Sequence, residues 1–253
     1  NCVSGSLFLT AMIANPMMVL FAQQAFGIQI SWMQWAIAAF VPGTLAMILI
    51  PIVLYYILPP EQKKTPEAPA FAKAELNKMG PMSFDEKVML AVFLTSIFLW
   101  ATAPYTKLDA TLIALGSGAV LLITNVLTWK DVLNENGAWD AMVWVGVLST
   151  IAGLLSKHGL IAWFSKLTVA SLGGIPWMWT LLALLLIYLY THYLFASITG
   201  HVAAMYPAFI AVAGAAGAPP MLVALSMGYF SNFFACLIHY GNGAGPIYFG
   251  AGY

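Results

Sequence analysis

The sequence predicts an all-α protein that crosses a membrane several times. Hydrophobic residues occupy 62% of the 253 positions and charged residues only 7%, and the mean hydropathy is +0.88. Soluble domains carry about 25% charged residues, so this chain lacks the charges that a water-exposed surface needs. Apolar stretches of about 20 residues, the length that spans a bilayer as a helix, recur along the chain. The formal net charge of zero argues against a nucleic-acid partner.

Polar breaks divide these apolar stretches into successive elements. In order, the predicted elements are a broken helix in 1–30, a membrane-spanning helix in 31–58, a linker in 59–87, three spans with their loops in 88–174, two apolar arms around a polar cluster in 175–218, and a second broken helix in 219–253. We expect the chain to be a fragment of a longer membrane protein, because it stops inside an apolar pattern and does not start with Met.

The 59–87 linker is the only sizeable water-exposed segment that the pattern predicts, with one short surface helix. It carries five lysines, more than any other loop, which places it on the cytoplasmic side by the positive-inside tendency. Tryptophans near span ends, Trp35 among them, are interpreted as anchors at the membrane surface.

Three polar segments interrupt the apolar pattern at the depth of the membrane. Asn15 and Pro16 follow small polar residues near the start, and a glycine-rich run occupies 238–248. The third segment, residues 197–201, lies between the two apolar arms and is named here the 197–201 turn. Irregular backbone inside a bilayer is stable only where protein buries it or water reaches it. Paired interrupted helices mark midplane sites in transporters built from repeats, so these segments predict a transporter's binding site.

The chain contains no arginine, so an anionic ligand has to be held by groups other than a guanidinium. A half-helix beginning near Pro246 would point free N–H groups and the positive end of its dipole at a carboxylate. A protonated His201 or His239 would add positive charge beside the site.

An integral-membrane hydrolase is the alternative from another functional class. It would use Ser4 or Ser197 as nucleophile and His201 or His239 as base. No carboxylate lies close in sequence to these histidines, and Ser4 lacks the nucleophile-elbow pattern. We therefore predict that the protein is not an enzyme. The histidines and the two cysteines also lack the short spacings of metal ligands, so no metal site is predicted.

Several runs of residues, collinear over essentially the whole chain, carry a resemblance to a known family. They are residues 7–12 with 14–16, 195–202, 206–209, 217–220, and 239–241 with 245–250. In these runs the chain resembles the divalent anion/sodium symporter family, in particular its citrate/succinate and 2-oxoglutarate/malate antiporter branch. The resemblance implies two inverted repeats, each with a re-entrant helical hairpin and a discontinuous helix. The chain would then hold the discontinuous helix of each repeat and, in 175–218, the second hairpin.

The resemblance also implies a substrate site. Ser197 and Thr199 occupy hairpin-tip positions of a family Ser-Asn-Thr motif and would face a substrate carboxylate. Thr10 and Asn15 would line the first discontinuous helix. The other predicted residues would lie at the hairpin tip or in the second discontinuous helix. The predicted substrate-binding residues are Thr10, Asn15, Ser197, Thr199, Gly200, His201, His239, Gly241 and Asn242.

Ile198 departs from that motif, because it stands where the family has Asn. Only the hydroxyls of Ser197 and Thr199 and backbone carbonyls remain at the tip as sodium ligands. We therefore expect no cofactor and sodium-independent exchange of di- or tricarboxylates such as 2-oxoglutarate, malate, succinate or citrate, by alternating access. The alternative within the family is a sodium-coupled dicarboxylate symporter.

The resemblance further implies a homodimer formed through the scaffold, embedded in a lipid bilayer. We expect the inner membrane of a bacterium, with the inner envelope of a plastid as the alternative.

Overall fold

The chain is helical and forms no strand within the residues that the computed structural model describes, which are 2–59, 64–160, 163, 166–167, 174–195, 197–238 and 250. In chain order the helices are α1 Cys2–Leu7, α2 Ala14–Phe26, α3 Trp32–Ile57, α4 Ala68–Met79, α5 Phe84–Thr106, α6 Ala110–Ile123, α7 Trp129–Asn134, α8 Asn136–Lys157, α9 Trp177–Thr191, α10 Ile198–Ala215 and α11 Pro220–Phe233. Short 3-10 turns lie at Leu9–Ala11, His192–Leu194 and Phe234–Cys236.

Four helical segments in the described part of the chain are long and apolar enough to cross a membrane. They are Trp32–Ile57, Phe84–Thr106, Trp177–Leu194 and Ile198–Ala215. The predicted all-α membrane architecture is therefore confirmed. The last two segments have 18 residues each, about 27 Å of helix, which suffices by length to cross. The re-entrant course of these arms and the inverted repeat stay predictions.

Residue contacts divide the chain into two compact units. The first, named here the site unit, comprises Asn1–Thr44 and Asn136–Tyr253, and the second comprises Leu45–Glu135. The polar breaks of the sequence all fall in the site unit. The second unit contains the second half of α3, the exposed helix α4, and helices α5 to α7.

In the second unit, α5 begins at Phe84, inside the linker predicted to extend to residue 87. The reason is a capping box, in which the Ser83 hydroxyl accepts from the Glu86 N–H at 3.2 Å. The Glu86 carboxylate in turn accepts from the Ser83 N–H at 2.7 Å. This reciprocal pairing satisfies two backbone donors that the first turn would otherwise leave open.

In the site unit, Trp35 is fully buried, so its interpretation as an anchor at the membrane surface is wrong. Its indole Nε1–H donates to the Ser6 carbonyl at 2.8 Å. The Tyr229 ring meets the indole edge-on at 5.2 Å, and the Tyr229 hydroxyl donates to the Trp35 carbonyl at 3.0 Å. Trp35 therefore fastens α3 to both α1 and α11.

Candidate functional site

The first discontinuous helix is interrupted between the end of α1 at Leu7 and the start of α2 at Ala14. The last carbonyls of a helix have no partner within it, and here side chains from α2 and α3 take that role. The Asn15 amide donates to the Gly5 carbonyl at 2.9 Å and to the Phe8 carbonyl at 3.1 Å. With the Trp35 bond to Ser6, these contacts stabilise a helix end inside the unit.

Within this interruption the 3-10 turn Leu9–Ala11 presents Thr10 and Ala11 as exposed residues. The Trp32 indole donates to the Thr10 hydroxyl oxygen at 3.2 Å and stacks on the Phe8 ring at 5.5 Å. Because a hydroxyl also has one hydrogen to give, Thr10 is oriented by Trp32 while it keeps the capacity to donate.

Asn15 itself is fully buried. Both of its amide hydrogens are engaged with the two carbonyls, and its side-chain oxygen accepts from the Asn232 amide at 3.1 Å. Asn232, near the end of α11, is a site residue that the sequence reasoning missed. A single Asn in an apolar helix was the available signal, since polar side chains at membrane depth are costly.

The 197–201 turn forms the start of α10. Ser197 is the N-cap, and its hydroxyl accepts from the Gly200 N–H at 3.3 Å. Ser197 is exposed, and Thr199 and Gly200 are half-buried. The turn thus places small polar residues at a helix N-terminus, where the partial positive charge favours an anion.

His201 lies one turn inside α10 and is fully buried. Its imidazole is surrounded by aromatic rings, with centroid distances of 4.6 Å to Phe195, 4.7 Å to Tyr188 and 4.5 Å to Phe234. His192, also fully buried, stacks on Phe234 at 4.0 Å. The two histidines therefore belong to one aromatic cluster behind the 197–201 turn.

A hydrogen-bonded chain runs through these two histidines. The Thr191 hydroxyl lies 3.1 Å from both the Tyr188 carbonyl and His201 Nε2. His201 Nδ1 lies 3.3 Å from His192 Nδ1, and one of these two nitrogens donates to the other. The partner of His201 is thus a hydroxyl and a second imidazole.

Helices α2 and α10 run in the same direction, which brings their N-terminal ends to the same end of the site unit. The Phe21 ring faces Tyr206 at 6.3 Å, and further along both helices Phe26 packs against Gly214. Helix α11 runs in the opposite direction, since the Tyr206 hydroxyl donates to the Ala224 carbonyl at 3.0 Å while the short connection 216–219 joins it to α10.

The end of α11 therefore reaches both polar segments. Asn232 contacts Asn15 in the first discontinuous helix, and Phe234 contacts His201 behind the 197–201 turn. Three of the predicted site residues, His239, Gly241 and Asn242, lie outside the described residues. Among the described residues, no group of three or more His, Cys, Asp or Glu side chains is placed to hold a metal ion.

Comparison with known proteins identifies the family. The family model for the transmembrane region of sodium:sulfate symporters matches residues 1–253. The chain belongs to this symporter family. The resemblance deduced from the 197–201 turn and the other runs is thereby confirmed, and the family is one of membrane transporters rather than enzymes.

Individual relatives within the symporter family are similar over the whole chain. Dicarboxylate transporter 1, chloroplastic, of Spinacia oleracea is 44% identical over 255 residues, covering 100% of this chain and 45% of the relative. The relative of the same name in Arabidopsis thaliana is 44% identical, with 100% and 46% covered. YflS of Bacillus subtilis, whose name assigns it provisionally to malate transport, is 45% identical, with 100% and 53% covered. The chain thus spans about half the length of these relatives.

Proposed function

We propose that the protein containing this chain exchanges dicarboxylates across a membrane by alternating access. The observation that carries the proposal is the meeting of the first discontinuous helix, the start of α10 and the end of α11 at one end of the site unit. Relatives covering the whole chain are named as dicarboxylate or malate transporters, which supports this class of substrate.

The anion would be held mainly by backbone dipoles and hydroxyls. Helices α2 and α10 point their positive N-terminal ends toward the same region, where a carboxylate is favoured. Ser197, Thr199 and Thr10 would donate hydroxyl hydrogens to carboxylate oxygens, with Gly200 allowing close approach. By the family resemblance, His239, Gly241 and Asn242 of the predicted second discontinuous helix would complete the proposed site.

His201 would act from behind this surface, since its imidazole is buried in the aromatic cluster. In this proposal it holds the start of α10 in place through Thr191 and His192, and it stays a candidate for direct contact when the hairpin moves. Asn15 is likewise buried and would shape the site through the first interruption.

We propose exchange without sodium, because Ile198 removes a side-chain oxygen from the tip. A sodium-coupled symporter is the second candidate, favoured by the family's own description. We also propose that the protein forms a homodimer and needs no cofactor. Its proposed location is the inner membrane of a bacterium, with the inner envelope of a plastid as the alternative, and relatives are named from a bacterium and from chloroplasts.

The test is counterflow with the full-length protein in proteoliposomes. Vesicles preloaded with malate, and empty vesicles, receive labelled 2-oxoglutarate in sodium-free and in sodium buffer. We expect uptake that requires internal malate and is indifferent to sodium. Uptake into empty vesicles driven by a sodium gradient would instead establish the symporter, and no uptake under either condition would contradict dicarboxylate transport.

Two substitutions connect that activity to the site. Thr199→Val removes a half-buried hydroxyl at the start of α10 and should weaken substrate affinity. Ser226→Ala removes a hydroxyl in α11 that bonds to carbonyls of its own helix, and serves as the matched control. Equal affinities in the two variants would remove Thr199 from the proposed site.

A further inference from the structure

Asn15 and Asn232 form a buried hydrogen-bonded pair between residues 217 positions apart. Asn15 is 0% exposed and Asn232 is 1% exposed. Two amides enclosed in an apolar helical unit persist only where their polar atoms are paired. The two amides therefore have to be oriented so that their polar atoms are hydrogen-bonded.

The orientation of each amide follows from its partners. Asn15 directs its Nδ2 hydrogens at the Gly5 and Phe8 carbonyls, so only its Oδ1 faces α11. Asn232 must then present Nδ2 to Asn15, and its second amide hydrogen goes to the Gly228 carbonyl at 3.3 Å. All four amide hydrogens of the pair are thus engaged with named oxygens.

Asn15 connects the two sides of the interruption. Gly5 belongs to α1, Phe8 follows its end, and Asn15 lies in the first turn of α2. One side chain therefore sets the separation between the last turn of α1 and the start of α2. The exposed residues Thr10 and Ala11 lie between these fixed points.

Gly5 allows α1 to approach Asn232. A Cβ atom built on Gly5 would lie 2.9 Å from the Asn232 Oδ1, closer than such atoms are found. The backbone of α1 and the amide of Asn232 are therefore in direct contact, in addition to the bond through Asn15. Both sides of the interruption are held by the end of α11.

We propose that Asn232 is a positioning residue of the anion site: it holds Asn15, and through Asn15 the width of the first interruption. Two residues further on, Phe234 contacts His201, so the same segment also supports the start of α10. This inference rests on the proposed function, because it assigns to Asn232 the geometry of the proposed anion site. Asn232 contacts no substrate in this account.

The test uses the full-length protein with Asn232→Leu, which keeps the branched shape of the side chain and removes its hydrogen-bond donors. Asn232→Ala is a second variant, used if the Asn232→Leu protein does not fold. Ser226→Ala, in the same helix, is the control. Counterflow gives KM and kcat for malate. A separate experiment measures how accessible the first interruption is. Ala11→Cys is introduced into a protein whose native cysteines are replaced by alanine, and its rate of labelling by a membrane-impermeant thiol reagent is measured.

We expect the KM for malate to rise about tenfold in the Asn232 variants while kcat changes by less than about twofold. The reason is that the variants lose the geometry that binds malate, whereas the conformational change of the loaded protein is unaffected. Labelling of the Ala11→Cys position should accelerate by roughly fivefold, since local opening exposes the thiol more often. The double variant Asn15→Leu with Asn232→Leu should raise the KM for malate no more than the more severe single variant does, because both substitutions remove the same hydrogen-bonded pair.

Wild-type KM and labelling rate in both Asn232 variants would overturn the proposal. A fall in kcat with unchanged KM and unchanged labelling would also overturn it, since that pattern indicates a general structural role. If the wild-type protein exchanges no dicarboxylate, the proposed function fails, and the labelling comparison still decides whether Asn232 fixes the interruption.

Discussion

Replacing Gly228 by alanine should destabilise the site unit, because α11 and Trp35 are in direct contact there. A Cβ on Gly228 would lie 2.8 Å from Cη2 and 3.3 Å from Cζ3 of the Trp35 ring. That ring is fully buried, tied to the Ser6 carbonyl, and flanked by Tyr229. Moving the ring away from α11 would therefore disturb a buried hydrogen bond and an aromatic contact.

The expected cost combines three terms. Overpacking a core costs about 1–3 kcal/mol, and loss of the buried indole hydrogen bond adds about 1 kcal/mol. Alanine recovers up to about 1 kcal/mol of helix propensity relative to glycine. The net loss in the free energy of unfolding is about 1–3 kcal/mol, which for a full-length protein of about 500 residues corresponds to a fall in Tm of roughly 1–3 °C.

The assay is thermal unfolding of the purified full-length protein in detergent, followed by loss of the monodisperse peak in size-exclusion chromatography. Gly116→Ala is the matched control, because Gly116 lies inside α6 and nothing lies within 4 Å of a Cβ placed there. That variant should melt at or slightly above the wild-type temperature. If Gly228→Ala melts with the control, the contact with Trp35 does not constrain this position and the reasoning is refuted.

Substitutions at three further positions test other features of the chain. Among the described residues the buried Thr180 hydroxyl finds no partner, so Thr180→Val should be neutral or raise the free energy of unfolding by about 1 kcal/mol; a clear fall in Tm would contradict this. Ser83→Ala should cost about 1 kcal/mol and speed amide hydrogen exchange in the first turn of α5, whereas Ser83→Asp should not. Hydrogen bonds from Thr111, chiefly from its backbone N–H, hold the pKa of Asp109 below its ordinary value of 3.8. Its stabilising effect is therefore complete above about pH 4 and lost as the pH falls through the lowered pKa. The Tm difference between wild type and Asp109→Asn, which caps without titrating, should shrink between pH 6 and pH 3, and a constant difference would count against this cap.

The helices of the site unit could be predicted from local sequence because their ends are encoded locally. Apolar stretches of membrane-spanning length stop at small, polar or proline-containing segments, as at Asn15 and at Ser197. The sequence pattern predicts the start of α5 at residue 88 instead of Phe84, because the capping box at Ser83 lies in a charged segment that is typical of a linker.

The contacts that organise the candidate site could not be predicted in the same way. Asn232 and Trp35 act on residues far away in the sequence, and neither has a neighbour in the chain that reveals its partner. An indole near the start of a span fits both a membrane surface and a helix contact. Only the packing of α1 and α11 against it decides between them.

The shared direction of α2 and α10 would make the attraction for an anion a property of the main chain. Peptide groups keep their dipoles whatever side chains they carry, so no single substitution abolishes that attraction. Side chains around the helix starts would then be free to change in size during evolution. Members of one family could in this way select carboxylates of different length while the backbone dipoles that attract the anion stay the same.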